Sequence, residues 1–199
     1  MSTYPNAALL LSAAHPSQFP PEAGAEVAIA GRSNAGKSSA INALTGRRSL
    51  ARTAKTPGRT RLLNFFELAP GCRIVDLPGY GYAEASAAER ATWAPMTAAL
   101  AARASLHGLF LIVDSRRGLL DGDEGLIAWA QAVHSPVHVL LSKTDKLKRA
   151  ELTRALVVAR ASLAGRATLQ AFSAVDGTGL EEARRQLHQW LQKIKGPGG

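Results

Sequence analysis

The chain has 199 residues and a mass of 21.0 kDa, is 46% hydrophobic and 20% charged, and so suits one domain with a real core while excluding wholesale disorder. A single cysteine, Cys72, excludes a disulfide framework and a cysteine-rich zinc site, and makes a reducing compartment the simple expectation. The net charge of +9, from 24 basic and 15 acidic residues, is unevenly spread.

Residues 1–24, rich in Pro, Ala and Ser, read as an irregular lead-in, without the basic start or apolar core of a signal peptide. No run approaches the roughly 18 apolar residues of a membrane span, so a cytoplasmic protein with no membrane partner is expected. Residues 26–30 (EVAIA) predict a short strand entering a glycine-rich turn, and 37–44 a helix stopped near Gly46. Segments 62–68 and 72–76 flank Pro70-Gly71 and predict a hairpin. A helix is expected over 87–103, with Pro95 its weak point, then a buried strand over 108–114 (GLFLIVD). Helix 124–133, buried strand 137–142 (VHVLLS), helix 148–163 and strand 168–173 follow. In the final helix Thr178 and Glu181 make a capping-box pattern, and Leu180, Ala183, Leu187, Trp190, Leu191 and Ile194 share one face. The tail, residues 196–199, cannot continue a helix and is expected to be flexible. This alternation predicts a three-layer α/β domain over 25–195. Its mixed, mostly parallel sheet of about six strands has helices on both faces, and the hairpin supplies an antiparallel edge strand.

The charge has a place in this layout. Between positions 27 and 66 there is no acidic residue, but there are Arg32, Lys37, Arg47, Arg48, Arg52, Lys55, Arg59 and Arg61; the rest of the chain is nearly neutral. Such a concentration predicts a polyanionic ligand or partner.

Gly31-Arg32-Ser33-Asn34-Ala35-Gly36-Lys37-Ser38 matches the phosphate-binding loop pattern, following a strand and opening a helix. Glycines let backbone N–H groups curl round phosphates, the helix directs its positive end at them, Lys37 reaches the terminal phosphates and Ser38 can ligate Mg²⁺. Asp76-Leu77-Pro78-Gly79, at the end of an apolar strand, offers a carboxylate to support the metal and a glycine amide to face the terminal phosphate. Ser142-Lys143-Thr144-Asp145 ends another strand. An aspartate there accepts both guanine N–H donors, a pair adenine lacks, while Lys143 lies along the base and braces the loop. Phe172-Ser173-Ala174 follows the last strand, where a backbone amide can bind the guanine carbonyl oxygen. Four elements at strand carboxyl ends predict a GTP/GDP site where open α/β sheets bind ligands.

Together GRSNAGKSS, TPGRTRLLNFF, DLPGYGYA, SKTDKL and FSA resemble the EngB family of ribosome-assembly GTPases, in the Era-like branch of the translation-factor-class G proteins. The resemblance runs from about Ser12 to Leu191. It implies a first switch loop over residues 47–61, with Gly58, Arg59, Thr60, Arg61 and Leu62 beside the nucleotide and Thr60 joining Ser38 on Mg²⁺. The residues alone do not separate Thr60 from Thr56 or Thr53. It also implies a second switch beginning at Gly79, slow GTP hydrolysis, a precursor of the large ribosomal subunit as partner through its rRNA, and a link to cell division and septation. A monomer is expected. Asn34 matches the loop position that helps hold K⁺ in potassium-stimulated relatives.

No side chain is assigned as catalytic base. Lys37, Thr60 and Gly79 are expected to stabilise the phosphates. Tyr80 stands where many small GTPases place a glutamine, and Glu84 and Glu89 lie too far along the chain. The sequence departs from the family at Ser142, where Asn or Thr is usual, and at Ala174, where a second serine is common. The serine hydroxyl can still tie the base-reading loop to the phosphate-binding strand. His15, His107, His134, His138 and His188 lack metal-ligand spacing; Trp93, Trp129 and Trp190 read as core or interface, and Cys72 as an unreactive small apolar residue. Two alternatives stay open: an Era-like GTPase acting on a protein without an RNA role, and a non-catalytic GTP sensor.

Overall fold

The computed structural model describes residues 4–51, 62–80 and 87–192, with side chains from residue 94 onward in the last stretch. Seven strands form one sheet: β1 (Ala8–Ala13), β2 (Ala25–Gly31), β3 (Leu63–Ala69), β4 (Cys72–Asp76), β5 (Leu106–Asp114), β6 (Val137–Ser142) and β7 (Thr168–Ala171). Their order is β1-β3-β4-β2-β5-β6-β7. Five helices cover it: α1 (Lys37–Thr45), α2 (Ala87–Ala101), α3 (Asp121–Ala132), α4 (Arg149–Leu163) and α5 (Leu180–Gln192). Among the described residues no helix is long and apolar enough to cross a membrane.

The buried strands are apolar on both sides because the sheet has two cores. Val27, Ile29, Phe110, Ile112 and Leu140 face α1 and α5, packing with Ile41, Leu44, Leu187 and Trp190. Ala28, Ala30, Leu109, Leu111, Val139 and Leu141 face the other way, against Met96 and Leu100 of α2, Leu126 and Ile127 of α3, and Leu163 of α4. Each large side chain so buried contributes about 1.5–3 kcal/mol. The parallel run β4-β2-β5-β6-β7 brings the carboxyl ends of β4, β2, β6 and β7 to one edge of the molecule.

The lead-in is not irregular throughout, because β1 pairs antiparallel with β3 through Leu9↔Phe66 and Ser12↔Asn64. Among the described residues the sheet therefore has seven strands, one more than the approximate count of six. The one antiparallel strand, β3, lies inside the edge rather than on it, between β1 and β4. The capping pair Thr178–Glu181 does not form the start of α5: Gly179, with φ 69°, stands in the left-handed region between Thr178 and the helix. β7 is two residues shorter than expected, and Ser173 turns away to donate its N–H to the Thr178 carbonyl, 2.9 Å. Despite Pro95, α2 runs on to Ala101.

At the opposite end of the sheet Glu26 is fully buried between two arginines. Its carboxylate accepts from Arg103 Nε (2.6 Å), Ser105 Oγ (2.9 Å) and Arg73 (3.2 Å). Arg73 and Arg103 also donate to the carbonyls of Pro21 and Pro20, fastening the lead-in under the sheet.

Candidate functional site

Residues 31–37 link the carboxyl end of β2 to the first residue of α1. The turn closes with Ala35 N–H on the Arg32 carbonyl, 3.0 Å. Asn34 (φ 63°) and Gly36 (φ 101°) are both left-handed, which bends the loop enough to aim α1 back across it. The loop is braced from behind. Ser142, buried at the end of β6, donates its hydroxyl to the Ala35 carbonyl at 2.6 Å and has the Val113 carbonyl at 3.1 Å. Lys143 Nζ donates to the Asn34 carbonyl. The serine that departs from the family pattern thus makes the tie expected of it.

On the phosphate side Lys37 is ion-paired with Asp76, and both are nearly buried. Asn64 of β3 approaches the second carboxylate oxygen, 3.4 Å. Leu77 is fixed by its N–H to the Ile29 carbonyl, 2.9 Å, so Pro78 and Gly79 leave the sheet beside the phosphate-binding loop. Tyr80 bridges to Arg32 and accepts the Ser33 N–H at 2.9 Å. Its phenol donates to Asp123 of α3. Burial first, then the Asp123 charge, pushes the Tyr80 hydroxyl far above its ordinary value, so it stays a neutral donor.

The base-reading side is held the same way. Lys143 takes the left-handed φ of 60° that starts the turn Thr144–Lys146. Thr144 donates its hydroxyl to the Phe172 carbonyl, 3.1 Å, joining the two loops. Asp145 accepts from Ser173 Oγ at 2.8 Å, with Lys146 Nζ at 3.2 Å. The Ser173 bond, ahead of Lys146, holds the Asp145 carboxyl below the usual range. Ser173 Oγ also accepts from Val175 and Asp176 N–H, 3.2 and 3.3 Å. With the Ser173 amide on Thr178, the Ala174 amide is the one left over in this turn, and a backbone amide is what the guanine carbonyl needs.

Two carboxylates in the site were not singled out by sequence. Asp114 ends β5 and receives Arg116 through Nε (2.9 Å) and Nη2 (2.7 Å), and Lys143 Nζ at 3.0 Å. Burial raises its pKa, but these two cations outweigh burial and hold it well below the carboxylate range. Asp123 is the second. A charged residue closing an otherwise apolar strand, GLFLIVD, was the available signal for Asp114; nothing local marks Asp123. Gly31 ends β2, Ser38 is the second residue of α1, and Arg32, Ser33, Leu77, Pro78 and Phe172 fall in these same loops. Leu62 lies next to β3, whereas Arg52, Thr53, Lys55, Thr56, Gly58, Arg59, Thr60, Arg61 and Glu84 lie outside the described residues, as do the side chains of Glu89 and Trp93. Arg47 donates to the Pro5 carbonyl at 2.7 Å, a contact that leaves its charge unneutralised. His107 and His138 are structural, bonded to the Trp190 carbonyl (2.9 Å) and to Thr168 and Gln170. Burial pushes the half-buried Cys72 thiol up, away from reactivity.

Fold and site together define a P-loop GTPase of the G-domain type. A model of the 50S ribosome-binding GTPase family matches residues 26–143. A probable GTP-binding protein EngB from Azoarcus sp. (strain BH72) is 46% identical over 196 residues, covering 96% of this chain and 94% of that protein. Its counterpart from Coxiella burnetii (strain CbuG_Q212) is 45% identical over 193 residues, 95% and 94% of the two chains. The chain belongs to the EngB family of GTP-binding proteins, which are GTP hydrolases. Among solved structures, a probable GTP-binding protein engB matches with a TM-score of 0.64 at 24% identity, over 84% of this chain and 98% of that one. Era in complex with MgGDPNP and nucleotides 1506–1542 of 16S ribosomal RNA matches with a TM-score of 0.63 at 21% identity, over 89% of this chain and 60% of that one. At these identities the likeness speaks to the fold.

Proposed function

We propose that this protein is a slow, Mg²⁺-dependent GTPase that acts as a switch in assembly of the large ribosomal subunit. The observation carrying the ribosomal part is the charge map. Nucleotide accounts for Lys37, but Arg47, Arg48, Arg52 and Lys55 in the 47–61 segment have no such use, and phosphates of rRNA would take them. The family model's description supports the same partner. The link to cell division and septation rests on the family resemblance.

The chemistry proposed for the site follows from its donors. Amides of the 31–37 loop and the start of α1 bind the phosphates. Lys37 exchanges Asp76 for the terminal phosphates. Ser38 and Thr60 would hold Mg²⁺, with Asp76 behind it, and a set of hydroxyl and carboxylate oxygens on the phosphate side fits that hard cation. The metal would neutralise charge developing on the phosphate oxygens. The Gly79 amide faces the γ-phosphate. Asp145 accepts the two guanine N–H groups, and the Ala174 amide donates to the guanine carbonyl. Tyr80 gives its hydroxyl to Asp123 and so orients no water, which supports slow turnover and a need for a partner.

Cosedimentation with large subunits tests this reading. Binding should be tighter with a GTP analogue than with GDP and fall steeply with salt. Changing Arg47, Arg48 and Arg52 together to Ala should weaken it and flatten the salt slope by up to about three units, at roughly 0.9 or less per phosphate contact. Unchanged affinity and slope in that variant would remove the basic segment as the RNA contact and favour a protein partner.

A further inference from the structure

An open cavity of about 230 Å³ lies between the phosphate-binding loop and α3, and its lining includes Ser33, Asn34, Asp114, Arg116, Asp123 and Lys143. Asp123 stands in its wall and takes the phenol of Tyr80. Tyr80 is tied at both ends: its carbonyl takes the Ser33 N–H, and its phenol reaches Asp123. Asp123 is 1% exposed and uses both oxygens, one for Tyr80 and the other for Leu120 N–H at 2.9 Å. A Cβ on Gly122 would stand 2.9 Å from the Tyr80 ring, so the ring reaches the carboxylate only over a glycine. The residue before it, Gly79, lies against the loop, where a Cβ would be 3.3 Å from Ser33. Leu126 and Ile127 root α3 in the core, so the far end of the clamp is fixed.

We infer that Tyr80 and Asp123 are positioning residues that hold the Gly79 amide against the phosphate-binding loop, so that the γ-phosphate meets a preformed donor. This rests on the proposed sensing role of Gly79. At the position where a glutamine would act on water, this chain spends its side chain on holding the backbone instead. The burial that keeps the phenol protonated keeps it a donor through the physiological range. Asp123 is pushed upward by burial, and it is the acceptor whose loss would let the ring swing free. Two other charged side chains act on the pair: Arg32 lowers the pKa of both groups, and Glu124 raises that of Asp123.

The isolated protein and nucleotide alone suffice for the test. Tyr80→Phe keeps the ring over Gly122 and deletes only the hydroxyl. Its affinity for GDP should stay within about twofold of wild type. Affinity for a non-hydrolysable GTP analogue and the single-turnover hydrolysis rate should each fall about tenfold, the scale of one hydrogen bond to a charged group. Asp123→Ala should show the same selective loss, and the double variant should be no worse than the poorer single one, because both remove one interaction. If the analogue-to-GDP affinity ratio is unchanged in both single variants, the clamp is refuted, even if their melting temperatures drop. A wild-type protein that does not distinguish the analogue from GDP would overturn both the clamp and the Gly79 reading beneath it.

Discussion

Ser142→Ala removes a hydroxyl that is 3% exposed and makes two bonds, 2.6 Å to the Ala35 carbonyl and 3.1 Å to that of Val113. The volume lost is a single oxygen, so packing contributes little. The cost comes from the carbonyl of Ala35, itself 3% exposed, which loses a partner where water has poor access. An acceptor so stranded costs about 1–3 kcal/mol. The tie joins the phosphate-binding loop to β6, so part of that energy is spent holding the loop in its ligand-binding shape. If half appears in binding, GTP and GDP affinity both fall about 2–12-fold, since 1.4 kcal/mol is a factor of ten. The two nucleotides should suffer equally, because the tie acts on Ala35, whereas Gly79, the proposed γ-phosphate contact, packs against Ser33. Dissociation of a fluorescent GDP and of a fluorescent GTP analogue, measured by stopped flow, gives both values, and a thermal melt gives the remainder. Ser142→Thr, which keeps the hydroxyl, should recover most of the affinity. A lowered melting temperature with nucleotide dissociation unchanged would refute the reasoning, since the serine would then steady the sheet and not the loop.

Asp145→Asn should lose GTP by about 100-fold or more, from two charge-assisted bonds of about 1.5–3 kcal/mol each, and gain xanthosine triphosphate, read by competition binding. Because Ser173 and then Lys146 hold the Asp145 carboxyl below the usual range, the charged form persists at every pH above about 4; its contribution is lost only as pH falls through that lowered value, so GTP affinity should not decline from this group between pH 7.5 and 5. Glu26→Gln leaves two buried guanidinium groups without their counter-charge and should cost about 3–5 kcal/mol of stability, a melting shift of about 10 °C for a chain of this size, with nucleotide affinity of the folded protein unaltered. Hydrolysis should be faster in K⁺ than in Na⁺, with the difference abolished in Asn34→Ala; equal rates in the two salts would confine Asn34 to shaping the loop, where its φ of 63° already gives it a role.

What the sequence disclosed depended on whether a residue's purpose is local. Gly31 to Ser38, Asp76 to Gly79 and Ser142 to Asp145 could be read because phosphate and guanine dictate residue types at fixed spacing, each next to a strand with a plain apolar signature. β1 could not. Its residues ALLLSA are mostly exposed, they lack alternation, and they become a strand only because β3 offers a pairing edge more than 50 residues away in sequence. Asp123 was hidden for a similar reason. Its partner Tyr80 stands 43 residues off, so no short window of sequence contains the pair. Thr60 was assignable only by resemblance, since three threonines in one loop carry the same oxygen donor.

The residues recognised by motif spend much of their bonding capacity on one another. Ser142 holds Ala35, Lys143 holds Asn34, Ser173 holds Asp145, and Lys37 holds Asp76. The first three contacts do not use the groups proposed to face the ligand: the remaining amides of the loop, the outer lone pairs of Asp145 and the amide of Ala174. They can persist when nucleotide binds, and they lower the cost of ordering the site. The fourth is different in kind, because both partners are the groups that phosphate and metal require. On the proposed assignment, binding would replace that ion pair by two others, Lys37 with phosphate and Asp76 with the metal's shell, so neither charge is stranded only if both ligands arrive together. Phosphate without the metal would leave Asp76 facing added negative charge at close range. On the proposed assignment, coupling of GTP affinity to Mg²⁺ would follow from this one contact as much as from the hydroxyls of Ser38 and Thr60.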